Sequence, residues 1–195
     1  MNSGALPTVL DATGSTITNP KRIVLKPNGT QAQGGFTIKT PTTTAPQYVE
    51  IYVDANLILA GGGIVVPPNV YAQVWVNGNL DYKNQDINYS ALSSRVPGNL
   101  LMYGVSTDPA ARVDSSGNGH IVAAFYGPQY AGHLDGNSEI IGGFVLKSYD
   151  TAGGGGSGGD SVGAGFHYDE ALGVVGPIQQ YKTVSYFEDF RKDLD

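Results

Sequence analysis

Two short apolar runs, Ile121-Val-Ala-Ala-Phe125 and Ile140-Ile-Gly-Gly-Phe144, are built on one template. Val162-Gly-Ala-Gly-Phe166 repeats the template again after a glycine-rich insertion, and Leu134-Asp-Gly-Asn137 lies between the first two as a turn. Strand, turn and strand at a period of about 20 residues is the mark of a solenoid, in which stacked coils share one apolar core. The same order occurs upstream. Tyr48-Val-Glu-Ile-Tyr-Val53 leads into Asp54-Ala-Asn56 and Leu57-Ile-Leu59, and Tyr71-Ala-Gln-Val-Trp-Val76 leads into Asn77-Gly-Asn79 and Leu80. Val53-Asp-Ala-Asn-Leu57 aligns with Val76-Asn-Gly-Asn-Leu80 position for position, at a slightly longer offset than the first pair. The triplet returns as Ser116-Gly-Asn118 and Asp135-Gly-Asn137, so Asn56, Asn79, Asn118 and Asn137 are expected at equivalent corners. Gly enters left-handed backbone freely and Asn more cheaply than other residues, which suits sharp corners. Asn at such corners can also bond to its counterpart on the next coil. The alternative is a β-sandwich or jelly roll, because Asp-Gly and Asn-Gly are also hairpin turns.

Composition agrees with an all-β chain. Charged residues make up only 14% of the 195, against 28 Gly and 11 Pro, a bias toward short strands and tight turns. Hydrophobic content of 41% is too high for a disordered tract. The net charge of −6, with no cluster of Lys and Arg, argues against nucleic acid and anionic membrane as partners. No run of 18 apolar residues is present, so direct membrane insertion is not expected. Without Cys the fold has no disulfide or thiolate site, and the N-terminus does not read as a signal peptide.

Read as one domain, residues 1–47 form first coils and a loop, 48–172 the core coils, and 173–195 a capping tail. Thr40 to Pro46 is a proline-bracketed bulge. Residues 81–99 read as an inserted loop, and Asp108 to Asn118 as a polar connection. Ser148 to Asp160 is a low-complexity excursion. In the tail, Tyr181, Val184, Phe187 and Phe190 are spaced by three, and such a stripe suits covering the unpaired edge of a last coil.

Several stretches resemble a known family: Tyr52-Val-Asp-Ala-Asn-Leu57, Trp75-Val-Asn-Gly-Asn-Leu80, Pro97-Gly-Asn-Leu-Leu-Met-Tyr-Gly104, Ala124-Phe-Tyr-Gly-Pro128, Gly142-Gly-Phe-Val-Leu-Lys-Ser148 and Phe166-His-Tyr-Asp-Glu-Ala-Leu172. Together they are similar to a bacterial domain of uncharacterised function at the C-terminus of PilX-type pilus-assembly proteins and other cell-envelope proteins. The resemblance implies a right-handed parallel β-helix in an extracytoplasmic, cell-surface setting, with pilus or envelope proteins as partners. It brings no catalytic residues. The chain departs from pilin-like members in lacking their N-terminal hydrophobic helix.

Few residues suggest chemistry. Phe166, His167, Tyr168, Asp169 and Glu170 form an end motif in which His167 could pair with Asp169 as a base or bind metal with Asp169 and Glu170. The structural alternative is that His167 and Asp169 cap a coil while the aromatics pack. His120 and His133 could approach each other at polar turns, though no zinc spacing is present. Asp135, Asn137 and Glu139 alternate as oxygen ligands do in calcium loops, without the full EF-hand spacing. Tyr82, Tyr89, Tyr126 and Tyr130 fall near inserted loops, where exposed rings could bind sugars or a protein, whereas Tyr52 and Trp75 are expected to stack between coils. Asn28-Gly-Thr30 and Asn88-Tyr-Ser90 match the glycan-acceptor pattern. No nucleophile elbow, P-loop or dinucleotide fingerprint is present, and no cofactor is expected. The expectation is a non-enzymatic surface or pilus-associated structural or adhesive module. The alternatives are a carbohydrate-binding or carbohydrate-active β-helix, partnered by surface glycans, and a self-assembling scaffold.

Overall fold

A computed structural model describes residues 3–26, 30–89, 97–115, 118–134, 139–150 and 165–168. The chain winds as a parallel β-helix with three walls. The first wall holds β3 (Lys21–Leu25), β6 (Gln47–Val53), β9 (Val70–Val76), β11 (Leu100–Gly104) and the middle of two long strands, β13 (His120–Leu134) and β14 (Glu139–Asp150). The second holds β1 (Ser3–Ala5), β4 (Gln31–Gln33), β7 (Asn56–Ile58), β10 (Leu80–Lys83), β12 (Arg112–Ser115) and the ends of β13 and β14. The third holds β2 (Val9–Leu10), β5 (Phe36–Ile38) and β8 (Ile64–Val65). It continues through the bridges Ile64–Ile87 and Ile87–Ile121 into the start of β14, and from there to β15 (Gly165–Tyr168).

Every ladder between these strands is parallel, and the main sheet wraps 269° round the axis. No α-helix occurs among the described residues, and the sandwich alternative falls because these strands meet side by side in parallel, not as hairpins. Each repeat is one turn round the axis. Ile121 pairs with Ile140 and Phe125 with Phe144, which is the spacing of the two template runs. Val53 pairs with Val76 and Leu57 with Leu80, which is the longer offset of the aligned corners.

The alternation of β6 shows why these residues make strands: Gln47, Val49, Ile51 and Val53 are buried, while Tyr48, Glu50 and Tyr52 lie half-buried on the outer face. In-register inward positions form one column, Ile23, Ile51, Val74, Met102, Phe125 and Phe144. Its middle members are buried, and Ile23 and Phe144 at its two ends are only partly covered. Each buried side chain of this size contributes about 1.5–3 kcal/mol of hydrophobic stabilisation.

Several expectations need correction. The third template copy is out of phase, because Phe166 pairs with Ile140 and not with Phe144. Residues 81–99 are not wholly an inserted loop, since Leu80–Lys83 is a second-wall strand and Ile87 a third-wall rung. Likewise Arg112–Ser115, inside the expected polar connection, is a strand paired with β10 and β13. The Asn triplets occupy two corners. At the corner between first and second walls, Asn56 Oδ1 accepts the Asn79 N–H at 2.8 Å, and Asn79 Oδ1 accepts that of Arg112 at 3.1 Å. Asn118 sits before the third wall, where its N–H donates to Asn84 Oδ1 at 3.2 Å. Asn137, the tail 173–195 and the glycine-rich stretch 151–160 lie outside the described residues.

Candidate functional site

The first wall turns every second side chain outward, and register aligns them across coils. Val24, Tyr52, Trp75, Tyr103, Tyr126 and Val145 form one outward column. Within it Tyr52 stacks on Trp75 at 4.6 Å and 8°, and Trp75 on Tyr103 at 5.3 Å and 16°. Tyr48 stacks on Tyr71 at 5.2 Å in a second column. Parallel strands set their rungs about 4.8 Å apart, so in-register rings meet face to face without adjustment. The expectation of coil stacking for Tyr52 and Trp75 thus holds.

At the upper end of the column the wall opens into a shallow cleft of about 560 Å³, lined by Trp75, Tyr103, Gly104, Val105, Tyr126 and Gln129. Val105 and Tyr126 are 44% and 43% exposed and form its rim. Gln129 closes one side, its amide nitrogen donating to the carbonyls of Gly104 at 2.7 Å and Ser106 at 3.3 Å. None of the six lining residues is charged.

Of the four tyrosines expected at loops, two are corrected. Tyr82 and Tyr130 are fully buried and belong to the core. Tyr82 points inward because it lies on strand β10 and not on a loop. Tyr130 turns inward at the corner of β13, where its hydroxyl is shared between the carbonyls of Val76 (2.9 Å) and Gly78 (2.8 Å) and accepts the N–H of Ser106 at 3.1 Å. Burial pushes its phenol above the ordinary tyrosine range. Tyr126 is exposed at the cleft, as expected. Tyr89 is half-buried and stacks on His120 at 4.1 Å.

His120 and His133 do not meet, because they occupy opposite ends of β13. His120 Nδ1 lies 2.9 Å from Asp86 Oδ1, which also accepts the His120 backbone N–H at 3.0 Å, and its Nε2 is 4.0 Å from Glu139. His133 pairs in register with Asp114 on one side and Asp150 on the other. Among the described residues no group of three His, Asp or Glu is placed to hold a metal. Of the calcium-like set only Glu139 is described; Asp135 and Asn137 lie outside, as do Asp169 and Glu170 of the end motif. The backbone of Phe166, His167 and Tyr168 forms β15.

Two residues escape a reading of the sequence. Gln129 has no local signal, since its partners are 23 and 25 residues away. Asn88 stands out there only as a glycan acceptor, yet it is 6% exposed at φ 54. Its amide nitrogen donates to Asn99 Oδ1 at 2.7 Å and to the Val122 carbonyl at 3.1 Å. Its carbonyl oxygen accepts the Val66 N–H at 3.3 Å. A side chain so enclosed is a coil clasp and not a modification site.

Residues 33–175 match the family described as Domain of unknown function (DUF7305). The chain belongs to this family. The matched stretch runs from the last residue of β4 past β15, so the family's domain contains the aromatic column, the cleft and all three histidines. Neither the curated proteins nor the solved structures give a match.

Proposed function

We propose that this chain is a non-enzymatic structural and adhesive module of the bacterial cell surface, associated with pili or other envelope assemblies. The observation that carries the reading is the outer wall, where a rigid column of stacked rings ends in an open, uncharged cleft. Such a surface is made for contact: its rings offer amphipathic area at low entropic cost.

The charged groups support the same reading through their positions. Arg22–Glu50 at 2.7 Å, Lys26–Asp54 at 3.5 Å and Lys39–Asp11 at 3.4 Å each tie one coil to the next. These exposed pairs act as fasteners along the outside, each worth little alone. The first coil favours a discrete module over an end-to-end scaffold. Its edges are β1 of three residues, β2 of two and β3 of five; Pro7 lies between β1 and β2, Pro20 precedes β3, and Lys21 and Arg22 begin it. Proline and charge discourage pairing with a further strand. The envelope setting is drawn from the similarity to PilX-type proteins.

The test is adhesion. Beads coated with the full chain are expected to bind isolated bacterial envelopes above an albumin-coated control, and antibody is expected to reach the protein on intact producing cells. Bead binding at the control level, with the protein confined to the cytosolic fraction, contradicts the proposal. Release of reducing ends or unsaturated products from polysaccharides contradicts its non-enzymatic part.

A further inference from the structure

We infer that the cleft lined by Trp75, Tyr103, Val105, Tyr126 and Gln129 binds a segment of a neutral, extended glycan. The inference rests on the adhesive reading above and names the ligand class of its contact surface.

The lining selects this chemistry in three ways. First, it is uncharged. An anionic polymer or a phosphate would call for Lys or Arg at the site, since charge-assisted hydrogen bonds carry such recognition. Second, it is amphipathic residue by residue. Trp75 ends in an indole N–H, Tyr103 and Tyr126 in hydroxyls and Gln129 in an amide, each beside ring or aliphatic surface. A neutral sugar presents the same alternation, C–H groups between hydroxyls. Third, the cleft is open, and its roughly 560 Å³ falls within the range of about 300–1,000 Å³ usual for small-ligand sites. An open cleft suits a polymer that enters at one side and leaves at the other.

A protein partner fits less well. A stable protein interface buries about 1,200–2,000 Å² around a desolvated apolar centre. Here the exposed apolar residues Val24, Val105, Tyr126 and Val145 lie along or beside one outward column, and the neighbouring outward column begins with Arg22, Glu50 and Gln73 and separates them from Tyr71, so the apolar area is a narrow strip and not a broad patch. Rigidity also favours the glycan. Trp75 and Tyr103 are held by stacking and Gln129 by two carbonyls, so little side-chain freedom remains to be lost on binding.

The chain supplies its own reporter, because Trp75 is its only tryptophan. Full-length protein is titrated with cellohexaose, laminarihexaose, mannohexaose, chitohexaose and dextran, with polygalacturonate as the anionic probe, and Trp75 emission is followed. The expected result is a saturable change with at least one neutral glycan. Tyr126→Ala and Val105→Asp, both at the exposed rim, should raise that Kd tenfold or more while circular dichroism and melting stay unchanged. Tyr48→Ala, outside the cleft, should leave it within twofold. No saturable change with any neutral glycan at millimolar concentration, a response to polygalacturonate alone, or equal affinity in Tyr126→Ala and the parent overturns the inference. Bead adhesion that survives Tyr126→Ala and an excess of every neutral glycan identifies a protein or other surface as the ligand. That outcome sinks the glycan inference and leaves the adhesive reading standing. Beads that bind nothing, with glycans still shifting Trp75, sink the adhesive reading alone.

Discussion

The Tyr130 hydroxyl lies 2.9 Å from the carbonyl oxygen of Val76, 54 residues earlier in the chain. With Gly78 and Ser106 on the same oxygen, one phenol satisfies backbone groups where the first wall of two earlier coils turns toward the second. The cleft stands on that corner: Gly104 and Gln129 line it, and a Cβ at Gly104 would meet the Tyr130 ring.

Tyr130→Phe keeps the ring and removes the hydroxyl that serves the Ser106 N–H and the Gly78 carbonyl, while the Val76 carbonyl keeps the N–H of Val105 at 3.0 Å. Unsatisfied buried groups cost about 1–3 kcal/mol each, so the unfolding free energy from urea titration should fall by at least about 1 kcal/mol. The variant also separates a pH effect. The folded phenol is raised above its unfolded value of about 10, so its stabilisation is complete below pH 10 and is lost as pH rises through the folded value. Alkaline unfolding curves should therefore show a component in the parent that Tyr130→Phe lacks; identical curves contradict this role.

Asn88 allows a paired comparison. Asn88→Ala loses three hydrogen bonds and places Ala at a positive φ of 54°, whereas Asn88→Gly loses the same bonds without backbone strain. Both should unfold earlier in urea. The alanine variant should be weaker than the glycine variant by about 1 kcal/mol, the cost of left-handed backbone for an L-residue.

Glycines differ by what a side chain would strike. A Cβ on Gly63 would run into the Asp86 carbonyl of the next coil, and one on Gly142 into the Ala123 carbonyl of the previous coil. Backbone cannot yield as a side chain can, so Gly63→Ala should cost at least the roughly 1–3 kcal/mol of an overpacked core. Gly14→Ala meets no atom within 4 Å and bears only the strain of φ +79. Equal melting temperatures for the two variants would refute the close approach of coils at Gly63.

Much of this is legible in the sequence, and the limits have physical causes. Both repeat offsets match the ladders because inward positions repeat with period two and carry Val, Ile and Phe in register. Tyr82 and Tyr130 are misplaced by sequence because an aromatic near polar residues looks the same whether it faces in or out; a strand at Leu80–Lys83 and a corner at Tyr130 decide it. Phe166 falls out of phase because Val162 to Phe166 has the template's composition without its register. Of the cleft, Tyr126 is legible as an exposed ring, and Trp75 as a stacked one. Gln129 and the Asp86–His120 pair are not, since 34 residues separate the latter and no motif marks them.

Acid should act through the carboxylates that bind locally. Hydrogen bonds from the Thr13 hydroxyl and backbone N–H, then Lys39, hold Asp11 down at about 2. The Asn77 amide and then Lys26 lower Asp54. A depressed carboxylate contributes stability that is complete above its unfolded value of about 3.9 and is lost as pH falls through the folded one. The urea midpoint should thus decline between about pH 4 and 2, less steeply in Asp11→Asn. Because the leading partner of Asp11 is a hydroxyl, 1 M salt should barely move its carboxyl titration by NMR. A large salt shift contradicts that cause.

The winding of the chain is tested most directly with paired cysteines, since the protein has none of its own. In parallel coils, partners keep a constant difference in residue number: Tyr48 with Tyr71 and Tyr52 with Trp75. In an antiparallel pair they keep a constant sum, which would join 48 with 75 and 52 with 71. Under mild oxidation Tyr48→Cys/Tyr71→Cys and Tyr52→Cys/Trp75→Cys should form intramolecular disulfides, because neighbouring strands lie within the Cα reach of about 4.4–6.8 Å. The constant-sum pairs, displaced by about 13 Å along the strand, should stay reduced. Cross-linking of the constant-sum pairs and not of the constant-difference pairs would contradict the β-helix and everything placed on its outer wall.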